Sequence, residues 1–122
     1  MKATELRIGN YILISVLSGD KFVNELFAVN ATTIRDAEHY GNEWNAEPIP
    51  LTEEWLLKFG FEFYEGKRTI FNDSYERNNV RLNYREDKKI FYWEDRHYME
   101  LKYVHQLQNL YFALTGNELE IK

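Results

Sequence analysis

The chain has no cysteine among its 122 residues. That absence excludes a disulfide scaffold, a thiol nucleophile and thiolate zinc sites, and it fits a reducing compartment. No run approaches the roughly 18–20 apolar residues needed to cross a bilayer. The opening Met1-Lys2-Ala3-Thr4-Glu5 leads into no apolar signal core, because Arg7, Gly9 and Asn10 interrupt it. The expected location is therefore the cytoplasm. An excess of basic residues is missing too. The net charge of −5 argues against a general nucleic-acid coat or a binder of anionic membranes. There is no Walker loop and no glycine-rich dinucleotide fingerprint.

What the chain has in quantity is aromatic rings: nine Tyr, eight Phe and three Trp. Each ring buries a large area, so one domain spanning 1–122 can build a core despite its short length. The expected fold class is α+β, an antiparallel sheet curled like a small barrel in its first half, with two helices packed on it.

The segment Tyr11 to Leu17 is almost wholly apolar and reads as a strand. Ser18-Gly19-Asp20-Lys21 is a turn, with Gly19 and Asp20 suited to positive φ. Phe22 to Val29 is a second strand with Val23, Phe27 and Val29 on one face and Glu25 as a misfit. Thr32 to Arg35 reads as a short third strand. Residues 36–50 hold neither period and read as a long loop. Thr52 to Phe59 reads as a helix, with Thr52 as N-cap, Glu53 and Glu54 facing the dipole, and Gly60 as its stop. Phe61 to Tyr64 and Thr69 to Phe71 flank Glu65-Gly66 as a hairpin. Asn72 to Asn79 is polar and reads as a mobile connection. Val80, Leu82 and Tyr84 alternate with Arg81, Asn83 and Arg85, the pattern of a half-buried strand. Two more strands follow, Ile90 to Trp93 and Arg96 to Leu101. Leu101, Val104, Leu107, Leu110, Tyr111 and Leu114 predict a helix over Tyr103 to Thr115. Glu118 to Ile121 suits a last edge strand.

Catalytic and metal chemistry find little support in the spacing. His39, His97 and His105 fall on three different elements, and a metal site needs three or four convergent ligands. Each is expected to hydrogen-bond locally. The carboxylate pairs Glu53-Glu54, Glu86-Asp87 and Glu94-Asp95 are adjacent in sequence, and neighbours point apart on a helix or strand. A nuclease built on His97 or His105 with a Lys or Arg is the one enzymatic alternative. The expectation is a protein that is not an enzyme, with no cofactor and no metal.

The charges are unevenly spread. Residues 1–66 hold 5 basic and 11 acidic side chains, and residues 67–102 hold 9 and 7. In the first stretch Glu38, Tyr40, Glu43, Trp44, Glu47, Glu53 and Glu54 share one segment. Such carboxylates and aromatics can dock into a basic groove of a partner. In the second stretch Arg77, Arg81, Arg85, Lys88 and Lys89 interleave with Tyr92 and other rings. Cations beside rings can grip single-stranded RNA by phosphate pairing and base stacking. A solvated charged face is the plain alternative for both.

Three blocks carry a resemblance: Leu6-Arg7-Ile8-Gly9-Asn10-Tyr11, the run from Pro48 through Thr52-Glu53-Glu54-Trp55 to Phe61, and Leu101 through Leu107-Gln108-Asn109-Leu110 to Gly116. The arrangement resembles a family of short proteins from phages and prophages of Bacteroidetes-type bacteria. One protein similar to these is an anti-CRISPR inhibitor of the type VI-B RNA-guided RNase effector. The resemblance implies a host type VI-B effector nuclease as partner, with disturbed binding or use of guide RNA. It implies no catalytic residue. A small phage RNA-binding module is the alternative, and a structural accessory a third class. The family blocks read as turns, caps and apolar faces, so the contact surface is expected in residues 62–100 and the 36–47 loop.

Overall fold

A computed structural model describes residues 2–41, 44–65, 74–94 and 98–121. The chain divides into two compact units, residues 1–50 with 103–109 and residues 51–102 with 110–122. The fold is α+β, with three helices and two antiparallel sheets among the described residues.

The first unit begins with a 3₁₀ turn, Ala3–Glu5, and then β1 (Tyr11–Ser18), β2 (Lys21–Ala28), helix α1 (Ala31–Tyr40) and β3 (Ala46–Pro48). The strands pair in the order β2-β1-β3. Only Gly19 of the hairpin turn takes positive φ, at 65°; Asp20 does not. A glycine there lets a two-residue turn match the twist of the strands. Leu6, Ile12, Val29 and Ala37 form the buried cluster, with Ile14, Ile34, Trp44 and Ala46 packed against it.

Two expectations fail in this unit. The sheet is open, not barrel-like: among the described residues β2 and β3 are its edges, and three strands are too few to close. Residues 31–40 are a helix, not a strand followed by loop, and this adds a third helix to the expected two. The β-branched Thr32-Thr33-Ile34 run is overridden by its caps. The Asn30 side chain accepts from the Thr33 N–H at 2.9 Å, and Thr33 Oγ1 accepts from the Asn30 N–H at 3.2 Å. Gly41, at φ 55°, ends the helix. Thr33, Ile34 and Ala37 then make one inward face.

Two side-chain amides of helix α3 (Val104–Thr115) complete this unit. Gln108 Oε1 accepts from the Tyr11 N–H at 2.8 Å, and Gln108 Nε2 donates to the Gly9 carbonyl at 3.0 Å. Asn109 Nδ2 donates to the Glu5 carbonyl at 2.8 Å, while Asn10 Nδ2 donates to Asn109 Oδ1 at 2.9 Å. Asn10 and Gln108 are almost wholly buried, so these bonds meet an obligation that water cannot meet.

His105 is the exception to that economy. It is 1% exposed, and neither ring nitrogen hydrogen-bonds a described protein group. The expected local hydrogen bond is therefore missing. Tyr103 stacks on the ring at 5.9 Å, and the Glu5 carboxylate lies 3.8 Å from Nε2, too far for a hydrogen bond. Burial pushes the imidazole below its ordinary value of 6.5, with Glu5 acting the other way. The Lys2 backbone N–H, at 2.6 Å, holds the Glu5 carboxyl below its ordinary 4.5.

The second unit contains helix α2 (Glu53–Lys58), β4 (Glu62–Tyr64), β5 (Ser74–Arg77), β6 (Val80–Arg85), β7 (Ile90–Glu94) and β8 (Tyr98–Leu101). The five strands form an antiparallel meander in sequence order. Ser74–Arg77 is a strand, not a mobile connection, and Tyr75 is buried in it. Asn78 and Asn79 turn the chain at φ 49° and 68°. An Asn-Asn pair tolerates the two positive φ values of a tight hairpin turn, and this signal was missed in the sequence. The expected strand Thr69 to Phe71 lies outside the described residues. Residues 117–121 form no strand, yet Leu119 is fully buried.

The pairing assigns the faces of this sheet. Phe63, Tyr75, Val80, Leu82, Tyr84, Phe91, Trp93 and Leu101 share one, on which Tyr75, Val80, Leu82, Phe91 and Leu101 are buried. Helix α2 buries Leu56, and Phe59 is buried just beyond it. Thr52 stands at the N-cap of α2, but its side chain makes no capping bond.

Two consequences are measurable. Asn30→Ala should lower stability by about 1 kcal/mol, the usual cost of a lost cap, while Thr52→Ala should cost only a few tenths. Urea melts of the two variants check this contrast. The second concerns pH. The folded state holds His105 neutral, so the unfolded chain binds its proton more readily. This contribution is full above 6.5 and is lost as pH falls through that value toward the lowered folded one. Glu5 adds a similar loss only below its ordinary 4.5. Stability should fall as pH drops through 6.5, and His105→Phe should flatten that slope in urea titrations.

Candidate partner-binding surfaces

The acidic segment is distributed over both units. Glu38 is exposed on α1, Glu47 is exposed on β3, and Tyr40 is 53% exposed, edge-on to His39 at 4.8 Å. Trp44 instead turns inward and packs against the Leu6 cluster, so it serves the core. Glu43 lies outside the described residues. These residues belong to the first unit, and Glu53 and Glu54 to the second. Glu54 pairs with Lys58 at 3.4 Å, one helical turn on. Glu53 accepts a hydrogen bond from the Tyr75 hydroxyl.

The basic strands carry their cations in a paired state. The register puts Arg81, Asn83 and Arg85 on one sheet face with Glu76, Tyr92, Tyr98 and Glu100. Arg81 lies 3.6 Å from Glu76, and Lys88 lies 3.6 Å from Glu100. Arg85 makes two bonds to Asp87, at 2.7 and 3.1 Å. The Arg85 fork holds the Asp87 carboxyl below the usual carboxylate range. Arg77 is used elsewhere: it donates to the Phe59 carbonyl and lies 5.5 Å over the Tyr111 ring. Tyr92 is buried to 9% exposure against Tyr98, which leaves little of its face for a base. Such exposed ion pairs add little stability. They do lower the positive potential that a phosphate backbone would meet.

An aromatic cleft in the second unit escaped the sequence reading. It measures about 470 Å³ and is lined by Leu51, Thr52, Glu53, Phe63, Tyr84, Glu86, Lys89 and Phe91. Its rings belong to a continuous row. Phe63 lies 5.1 Å from Tyr75, Tyr75 lies 5.7 Å from Phe91, and Phe91 lies 4.9 Å from Tyr84. Glu53 enters from the α2 end and Glu86 from the β6–β7 turn. That turn also brings Lys89, at φ 52°. Two acidic residues and one lysine thus line a cleft with aromatic walls. Such a setting favours a cationic side chain, attracted by charge and by the ring quadrupoles. The clue in the sequence was the alternation Val80/Leu82/Tyr84. It put Tyr84 on the inner face, but it could not show that the tip of that face stays open.

The two described imidazoles serve different settings. His39 is exposed on α1, His105 is buried, and His97 lies outside the described residues. No group of three or more His, Asp or Glu among the described residues could hold a metal ion. No helix is long and apolar enough to cross a membrane among the described residues.

The blocks Leu6 to Tyr11, Pro48 to Phe61 and Leu101 to Gly116 supply the buried Leu6, Asn10, Leu56, Phe59, Leu107 and Gln108. They carry the architecture more than any surface. No protein-family model, no curated protein and no solved structure matches the chain.

Proposed function

We propose that this protein is a non-enzymatic, phage-encoded inhibitor that binds a type VI-B RNA-guided RNase effector in the cytoplasm of the host bacterium. Binding would disturb how the effector takes up or uses its guide RNA. The observation that carries the docking mode is the aromatic cleft with Glu53 and Glu86 in its lining. RNA-handling proteins expose arginines and lysines for phosphate, and this cleft has the chemistry to accept one. The net charge of −5 would steer encounter with such a basic surface. The identity of the effector rests on the resemblance of the three sequence blocks. The pairing of Arg81, Arg85 and Lys88 with carboxylates makes direct RNA contact the weaker reading.

The test is capture of purified type VI-B effector, with and without guide RNA, beside RNA alone. Effector should be retained and should be released by rising salt. The double variant Glu53→Lys/Glu54→Lys and the single variant Glu86→Lys should each weaken inhibition at least about tenfold, as expected for charges facing a basic partner. Arg81→Glu should change it little. Full inhibition by a folded double variant would remove the acidic contact. Capture of RNA without effector would replace the reading by an RNA-binding module.

A further inference from the structure

Among the described residues strand β2 is a free edge eight residues long, and all eight are exposed. Its pairing with β1 runs without a bulge, and it contains no proline. It therefore lacks two of the usual devices that blunt an edge. The two-residue turn makes Ser18 and Lys21 the first hydrogen-bonded pair of the hairpin. Alternation then aims the backbone N–H and C=O groups of Phe22, Asn24 and Leu26 outward from the sheet. The same residues share a face with Leu13 and Leu17. Phe22 is 74% exposed, Leu17 64% and Leu26 49%. An unpaired ladder beside an apolar patch is a docking edge in search of a strand.

The charges on the other face indicate which strand. Lys21, Val23 and Glu25 alternate there, and neither Lys21 nor Glu25 has an ion pair among the described residues. Glu25 is the residue that breaks the apolar pattern of this strand. We propose that β2 pairs antiparallel with β2 of a second copy, about a twofold axis at Val23, joining two three-stranded sheets into one of six strands. In that register Lys21 stands opposite the partner's Glu25, and Glu25 opposite the partner's Lys21. Val23 meets the partner's Val23. Phe22 and Asn24 exchange backbone hydrogen bonds with the partner's Asn24 and Phe22. On the outer face Phe22 comes within diagonal reach of the partner's Phe22 and Leu26. The strand is its own complement, with one positive and one negative residue placed symmetrically about the axis.

Sedimentation velocity of the full chain across a dilution series tests this. The wild-type chain should shift from monomer to dimer as concentration rises. Lys21→Glu and Glu25→Lys alone should each raise the dimer dissociation constant on the order of tenfold, because two attractive pairs become repulsive. An equimolar mixture of the two variants should regain dimerisation, since every cross-strand pair is then of opposite sign. Asn24→Pro removes an outward N–H that β1 does not use, so it should abolish the dimer with unchanged far-ultraviolet circular dichroism. A wild-type monomer at all concentrations would overturn the proposal. So would a mixture no more dimeric than its components, or an Asn24→Pro chain as dimeric as wild type.

Discussion

Two amide side chains carry an obligation that the first unit cannot otherwise meet. The turn over residues 5–11 leaves the Glu5 and Gly9 carbonyls and the Tyr11 N–H outside any helix or strand ladder. Gln108 and Asn109 supply their partners from about a hundred residues away in sequence. A buried backbone group without a partner costs about as much as several ordinary hydrogen bonds contribute net. Replacing either amide by an apolar residue of similar size would therefore trade a small gain in burial for two orphaned polar groups. The same helix places His105, whose nitrogens go unmet among the described residues. Two degrees of polar satisfaction thus stand side by side on one element.

This arrangement explains what the sequence shows and what it hides. The helix over 103–115 is legible because its leucines repeat at threes and fours. Gln108 and Asn109 look like any polar face residues in that pattern, since nothing local says which backbone they will meet. The strands of the second sheet are legible where Val80, Leu82 and Tyr84 alternate. Its β5 strand is not, because Ser-Tyr-Glu-Arg carries little hydrophobic signal and draws its burial from neighbours on both sides. Helix α1 shows local evidence in competition. Three β-branched residues favour a strand, but the Asn30 cap with Thr33 and the glycine at 41 outweigh them.

Function is less legible than fold for a physical reason. The residues with recognisable pattern are buried or cap elements, so they report on architecture. Surface chemistry depends on which carboxylates and rings end up beside each other. Glu53 and Glu86 are 33 positions apart and meet at one cleft only because a helix start and a hairpin turn both open onto it. Likewise, a run of arginines and lysines looks like a nucleic-acid footprint until the register shows Glu76, Asp87 and Glu100 next to them.

Neither unit is a single stretch of chain: the first takes residues 1–50 and 103–109, and the second takes the intervening segment and the end. On the ribosome this imposes an order. The meander of β4 to β8 pairs neighbours in sequence and can zip up as it emerges. The turn over residues 5–11 must wait for Gln108 and Asn109 before its polar groups are met. Contacts of long sequence separation are slow to form. Polar groups made early in synthesis are therefore among the last to find their partners.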